Sequence, residues 1–308
     1  MANCLTRHRQ GLVSLMLLLT AAVWGSSCLL MKNVQEEIPL NYVLAIRFSV
    51  VGLGLAYYLY AYRQKLNWTA WKCALITGSI VYLAYSIQYY GLHFTTVSKN
   101  AVFTALYVVM VPFLAWLVYR ERISWIVYLA AVACFLGVSL ISGLSGLGGL
   151  NKGDLWSLLG AVFYAGNFLA VTKCAEEVEI MPLTCLQFSV AALYAWIAAL
   201  TTETFPQEIH AAIWGQLAWL AVMATLVAMT AMNLGIKYVS SSHTAIILAT
   251  ESFFACVTGI VFRGDPWGWQ LIVGVSLIVG AVIATQLVKD SAPAGAVQPA
   301  LASEARAA

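Results

Sequence analysis

Two ionisable residues sit inside runs that otherwise read as bilayer. Glu251 lies in "IILATESFFACVTG" (246–259), apolar on both sides. At 1.5 Å per residue it is about 15 Å into its run, close to the midplane of a bilayer core. Insertion scales put a charged group there at about 2.5–3.5 kcal/mol, so it must face protein or water. Two readings stay open: a protonated, hydrogen-bonded packing residue, or a cavity residue that binds an amine or takes up a proton. Arg47 is the basic residue deepest within a run, about 12 Å from the outer end of its helix. Its planar fork suits a carboxylate. Snorkelling to the interface, or a standing pair with Glu251, are the structural alternatives. Trp24, Gln88, Asn100, Tyr107 and Asn167 are each common packing residues when taken singly. With Glu251 and Arg47 they describe a cavity of mixed charge and aromatic walls, suited to a zwitterionic, partly apolar molecule such as an amino acid. No catalytic, metal or cofactor site is expected. There is no H-E-x-x-H and no G-x-S-x-G. The seven cysteines (Cys4, Cys28, Cys73, Cys134, Cys174, Cys185, Cys256) form no C-x-x-C pair and read as small hydrophobes.

Elements that could place these residues follow from composition. The 308-residue chain is 62% hydrophobic and 9% charged, against about 25% charged in soluble domains. The bilayer is therefore its solvent. A net charge of +3 without a Lys/Arg-rich run excludes nucleic acid and leaves a small-molecule substrate and the lipid bilayer as partners. Oligomeric state stays open, with a monomer as one reading.

Runs long enough to cross a bilayer occur ten times, at 11–31, 40–62, 70–92, 97–119, 124–142, 154–173, 183–200, 213–236, 241–262 and 267–288. The first reads as a retained span rather than a cleaved leader. Residues 289–308, rich in Ala, Pro and Ser, read as a disordered tail. With residues 1–10 and the tail cytoplasmic, ten Lys/Arg fall on inside segments and four (Lys32, Lys99, Lys152, Arg263) outside, as the positive-inside rule prefers. Tyr57, Tyr58, Tyr60, Tyr62, Trp68 and Trp71 read as one interfacial belt, with Trp267 and Trp269 at the other interface. Pro112 is expected to kink the fourth span.

The chain is also written twice. "GLHFTTVSKNA" (91–101) aligns with "GIKYVSSSHTA" (235–245), a shift of 144 that sets Glu121 opposite Asp265. "RFSV" (47–50) pairs with "QFSV" (187–190), and Pro39-Leu40 with Pro182-Leu183 at the opening of each second span. The reading is all-α: two five-span halves, 11–142 and 154–288, joined by a Gly-rich linker at 143–153. An odd number of spans per half makes the halves inverted repeats, a plan shared by alternating-access carriers. Small residues at Ser276, Gly280 and Ala284, and at Ala133 and Gly137, suggest close helix packing.

Two five-span repeats, "AAVWGSS" in the first span and "VYRERISWIVYLAAVACFLGVSLIS" closing the first half resemble the drug/metabolite transporter superfamily, and within it the EamA-type bacterial members. The resemblance runs over roughly 12–288. Glu121 with Gly137, and Asp265 with Gly280, fill the family's acidic and glycine places. Where the family often reads Glu-Pro, this chain reads Glu251-Ser252. The resemblance implies a central cavity between the halves, a general role for Glu251, and export of amino acids or other small metabolites across the inner membrane. A passive facilitator or an importer of the same fold is the alternative within this class, and a membrane-embedded enzyme the alternative outside it.

Overall fold

The computed structural model describes residues 2–63, 66–120, 125–142, 150–232, 247–248 and 250–290, with no strand among them. Glu121, His243, linker residues 143–149, the start of the ninth run at 241–246 and tail residues 291–308 lie outside the described residues. The helices are α1 (Ala2–Val34), α2 (Leu40–Gly54), α3 (Ala56–Ala61), α4 (Trp68–Phe94), α5 (Val97–Ala105), α6 (Tyr107–Tyr119) and α7 (Trp125–Ser142). Then come α8 (Lys152–Cys174), α9 (Ile180–Thr202), α10 (Ala211–Trp219), a π-helical segment (Leu220–Val227), α11 (Glu251–Arg263) and α12 (Trp269–Asp290).

Among the described residues, five stretches are long and apolar enough to cross a membrane: Leu12–Val34, Trp68–Phe94, Lys152–Cys174, Ile180–Thr202 and Ala211–Met232. Shorter apolar helices occupy the expected second, fourth, fifth and tenth runs. Interruptions account for part of the difference from ten uniform spans. The second run breaks at Leu55, just after Gly52 and Gly54, both weak helix formers. The fourth breaks at Leu106, six residues before Pro112. There Leu106 N–H turns to the Phe103 carbonyl at 3.3 Å and Val109 N–H to the Leu106 carbonyl at 3.0 Å, both three residues back. The first helix starts at Ala2 rather than 11 because residues 2–10 contain neither proline nor glycine.

Side-chain caps set several starts. Asn67 accepts from Ala70 N–H ahead of α4, and Thr96 from Lys99 N–H ahead of α5. Asn151 and Asp154 form a reciprocal capping box, which starts α8 two residues before the expected boundary. Pro39 immediately precedes α2 and Pro182 lies in the first turn of α9, where a missing N–H costs nothing. The main core gathers α1, α2, α4 and α9 around Met31, Leu44, Phe48, Leu92 and Phe188. The aromatics Tyr57, Tyr60, Trp68, Trp71, Trp267 and Trp269 stand exposed.

Close backbone approach fixes two crossings. A Cβ on Gly25 would lie 2.5 Å from Phe254 Cβ and 2.7 Å from the Glu251 carbonyl oxygen, so this glycine lets α1 rest on the first turn of α11. Gly25→Ala is expected to force the two helices apart and destabilise the fold by about 1–3 kcal/mol; thermal unfolding of the detergent-purified chain checks it. Gly91 and Gly153 meet in the same way where α4 packs on α8.

Two packing expectations are corrected. Cys73 on α4 and Cys174 on α8 are joined as a disulfide, with Cα atoms 5.7 Å apart and 101 residues between them. They are not simple apolar fillers; their spacing in sequence gave no sign of a pair that only the α4–α8 crossing creates. In the last span, Ser276 and Gly280 are exposed and nothing lies within 4 Å of a Cβ built on Gly280. The contact with α7 is instead made by Gly137 against the Gly274 carbonyl and Ile278, on the other face of α12.

One end of the bundle, where α1, α4, α9 and α11 finish, is tied by polar contacts. Lys99 and Asp154 form an ion pair at 3.0 Å, 1% and 0% exposed. Lys99 was counted among the outside charges; it lies in the first turn of α5, which starts at Val97 as expected, and turns into the interior to meet Asp154. Asp154 also accepts from Thr95, whose carbonyl accepts from Lys32. Asp265 is buried and accepts from Ser98 N–H at 2.9 Å and Ser98 Oγ at 2.7 Å. Arg263 reaches Asn33 and Glu36, and Glu203 accepts from the backbone and side chain of Asn41.

At the same end Glu37 accepts from His210 N–H at 2.9 Å and pairs with its ring Nδ1 at 2.8 Å. The His210 backbone N–H, then its ring, hold the Glu37 carboxyl below the usual carboxylate range. A depressed native pKa adds stability above the unfolded value of about 4.3, lost as pH falls through the native one. The difference in thermal stability between the native chain and Glu37→Gln is therefore expected at pH 7 and to shrink below about pH 4.

Candidate functional site

Arg47, on α2, is 1% exposed. Its Nε donates to Thr225 Oγ1 at 3.1 Å and its Nη1 points at Met31 Sδ at 3.6 Å. The guanidinium carbon lies 5.6 Å and 5.4 Å from the ring centroids of Tyr85 and Tyr89. These two tyrosines are four apart on α4, so one helix face presents both. Each ring contributes about 0.5–2 kcal/mol to holding a cation. Among the described residues no carboxylate lies within ion-pair distance of Arg47, so the standing pair with Glu251 is not formed. Among the described residues this leaves a buried positive charge without an acidic partner, a costly state in a low-dielectric interior.

Further rings extend the wall. Tyr85 contacts Phe48 at 5.3 Å and Tyr164 at 5.4 Å, and Tyr164 contacts Tyr107 at 6.1 Å. The Tyr164 hydroxyl donates to Gln88 Oε1 at 2.8 Å. Trp24, half-buried on α1, donates its indole N–H to the Ala224 carbonyl at 2.7 Å.

Glu251 is half-buried and is the first residue of α11 rather than a mid-helix residue. Thr250 forms the turn before it, with its N–H and its hydroxyl both directed to the Ile247 carbonyl at 3.1 Å and 2.6 Å. The break forms without the family's proline because the threonine hydroxyl takes up that carbonyl. Glu251 stands within electrostatic reach of Cys28, Tyr85, Tyr107 and Tyr164. The repeat shift of 144 carries Leu106 onto Thr250 and Tyr107 onto Glu251. Both halves therefore break one helix at the same repeat position, with Tyr107 and Glu251 opening the distal pieces. A half-helix N-terminus inside a bundle carries a partial positive charge that attracts anions.

Of the seven residues expected, Arg47, Tyr107 and Gln88 meet these rings; Trp24 is held beside Thr225 through the Ala224 carbonyl, and Glu251 opens α11 where it packs on Gly25 of α1. Asn100 stands one layer behind: fully buried, it donates to Ser157 Oγ at 2.8 Å and to the Gln88 carbonyl at 3.0 Å. Asn167 lies apart, accepting from Gln187 Nε2 at 3.1 Å across α8 and α9. Tyr85, Tyr89, Tyr164 and Thr225 are additions. The four-residue spacing of the first two, and a threonine deep in the eighth run, were the available signals. The rings and Arg47 pack against each other. A groove of about 320 Å³ lies elsewhere, between α1 and the π segment, lined by apolar residues such as Leu12, Met16, Val23 and Val227; it carries no charge.

The EamA-like transporter family model matches this chain twice, over residues 11–143 and 151–286. The chain belongs to the EamA-like transporter family. It is accordingly a multi-pass membrane protein of the drug/metabolite transporter superfamily, and two matches fit a two-repeat EamA chain. An uncharacterized transporter of Archaeoglobus fulgidus is 29% identical over 272 residues, covering 88% of this chain and 84% of that one. The uncharacterized transporter YxxF of Bacillus subtilis is 25% identical over 189 residues, covering 58% and 57%. A solved crystal structure, 16% identical, superposes with a TM-score of 0.64 over 93% of this chain and 99% of its own, a likeness of fold alone.

Proposed function

We propose that this EamA-family chain is a secondary transporter that exports amino acids or closely related small metabolites across the inner membrane. Its ten spans work as two inverted five-span halves that alternate access to a central site. The observation that carries this reading is Arg47: a buried cation with no carboxylate partner among the described residues, walled by Tyr85 and Tyr89. A zwitterion completes both groups, its carboxylate on the guanidinium and its ammonium toward Glu251, while its side chain meets the rings.

Lys/Arg counts favour both termini in the cytoplasm. On that orientation the tied end, with Lys99–Asp154 and Asp265–Ser98, is the outer one, and outward release requires those contacts to part. Export as the direction rests on the family resemblance.

The test is the extracellular metabolite profile of cells expressing this chain, against empty vector and Glu251→Ala at equal membrane abundance. Amino acids enriched only by the native chain support the proposal. Enrichment equal in both proteins removes Glu251 from the path, and depletion of the medium reverses the direction.

A further inference from the structure

The π-helical segment lies where two residues of the candidate site are anchored. In the regular helices, Thr77, Thr184 and Thr230 each donate their hydroxyl to the carbonyl four residues back. Thr225 donates instead to Leu220, five residues back, at 2.8 Å. The wider turn moves both the acceptor and the hydroxyl. A threonine hydroxyl has one proton, and here it is committed to Leu220. Its oxygen therefore meets Arg47 Nε as an acceptor only. The preceding residue, Ala224, offers its carbonyl to the Trp24 indole. Two adjacent residues of the second half thus hold one side chain from α1 and one from α2 of the first.

We propose that Thr225, through this π turn, is a positioning residue for the substrate-binding cation: it fixes the Arg47 guanidinium by its Nε, so that the Nη edge, beside Met31 and Tyr89, is held in one orientation for an anionic group of the substrate. Thr225 is fully buried and takes no part in binding itself. Without its oxygen, Arg47 Nε–H has no acceptor and the guanidinium turns about its own stem. The inference rests on the reading of Arg47 as a substrate contact, and its test separates the two.

The first arm reads geometry in the full chain in detergent, labelled with ¹⁵N-arginine. One Nε–H protected from solvent exchange is expected in the native protein. It should be absent in Arg47→Lys, lost in Thr225→Val and retained in Thr225→Ser. The second arm measures counterflow of a fixed panel of radiolabelled neutral L-amino acids in proteoliposomes. Thr225→Val is expected to raise the half-saturation concentration about tenfold or more with the maximal rate within about twofold, and Thr225→Ser to restore it to within about threefold. In an Arg47→Gln background, Thr225→Val should add nothing further.

Persistence of the protected Nε–H in Thr225→Val, unchanged half-saturation, equal damage by serine and valine, or additive losses with Arg47→Gln would each overturn the proposal. Should the native chain move none of the panel, the amino-acid reading fails; the resonance arm still decides whether Thr225 fixes Arg47.

Discussion

Lys99→Met is expected to cost about 3–5 kcal/mol of stability, the largest single effect in the molecule. The ion pair with Asp154 is almost wholly removed from water. Removing the ammonium leaves a carboxylate that retains hydrogen bonds from Thr95 and from Asn151 N–H but no compensating charge. Breaking a buried pair on one side is far worse than replacing both partners, because the remaining ion keeps its desolvation penalty. Lys99→Met with Asp154→Leu should therefore recover much of the loss, less the capping-box contribution of Asp154, about 1 kcal/mol. Thermal unfolding of the three purified proteins reads the effect. A single variant within about 0.5 kcal/mol of native would show that the pair is hydrated and not buried.

Arg47→Gln is expected to leave the fold standing and to weaken substrate binding by about 2–4 kcal/mol, a rise in half-saturation of about thirty- to a thousandfold. Glutamine keeps a donor near Thr225 and removes an uncompensated buried charge, so stability should hold or rise. The same substitution deletes the group that a substrate carboxylate would neutralise. Arg47→Lys should fall between, since an ammonium lacks the planar fork. Equilibrium binding of labelled amino acids to the detergent-purified chain checks the order. Equal affinity in all three proteins would make Arg47 a packing residue.

Much of this was legible in the sequence. Apolar runs located most helices, since a crossing helix has to hide its backbone polar groups along its whole length. The 144-residue shift pointed to the pairing of halves, and Glu251 and Arg47 stood out because buried charge is expensive. What the sequence hid depended on tertiary contact. Cys73 and Cys174 meet only because α4 crosses α8. Lys99 is buried by a partner 55 residues away, although a charge near the opening of a run reads as an outside one. Thr225 matters through a π turn that no residue type announces. The small-residue stripe at Ser276 and Gly280 had the right spacing on the wrong face, because spacing alone does not say which side of a helix meets a neighbour. Asn167 matched the site in type and depth but faces Gln187.

The breaks at Leu106 and Thr250 join these levels. One follows from no motif and the other lacks the expected proline, yet the repeat brings them to equivalent positions and sets Tyr107 and Glu251 at the openings. That symmetry is why Glu251 joins Arg47 in the functional reading.

The measurement that tests it most directly is uptake of labelled amino acids by proteoliposomes under an imposed proton gradient, comparing the native chain with Glu251→Gln. On the reading that Glu251 also takes up the coupling proton, the native chain is predicted to accumulate label above equilibrium in a pH-dependent manner, and Glu251→Gln only to equilibrate it. Full, pH-dependent accumulation by Glu251→Gln would contradict the account.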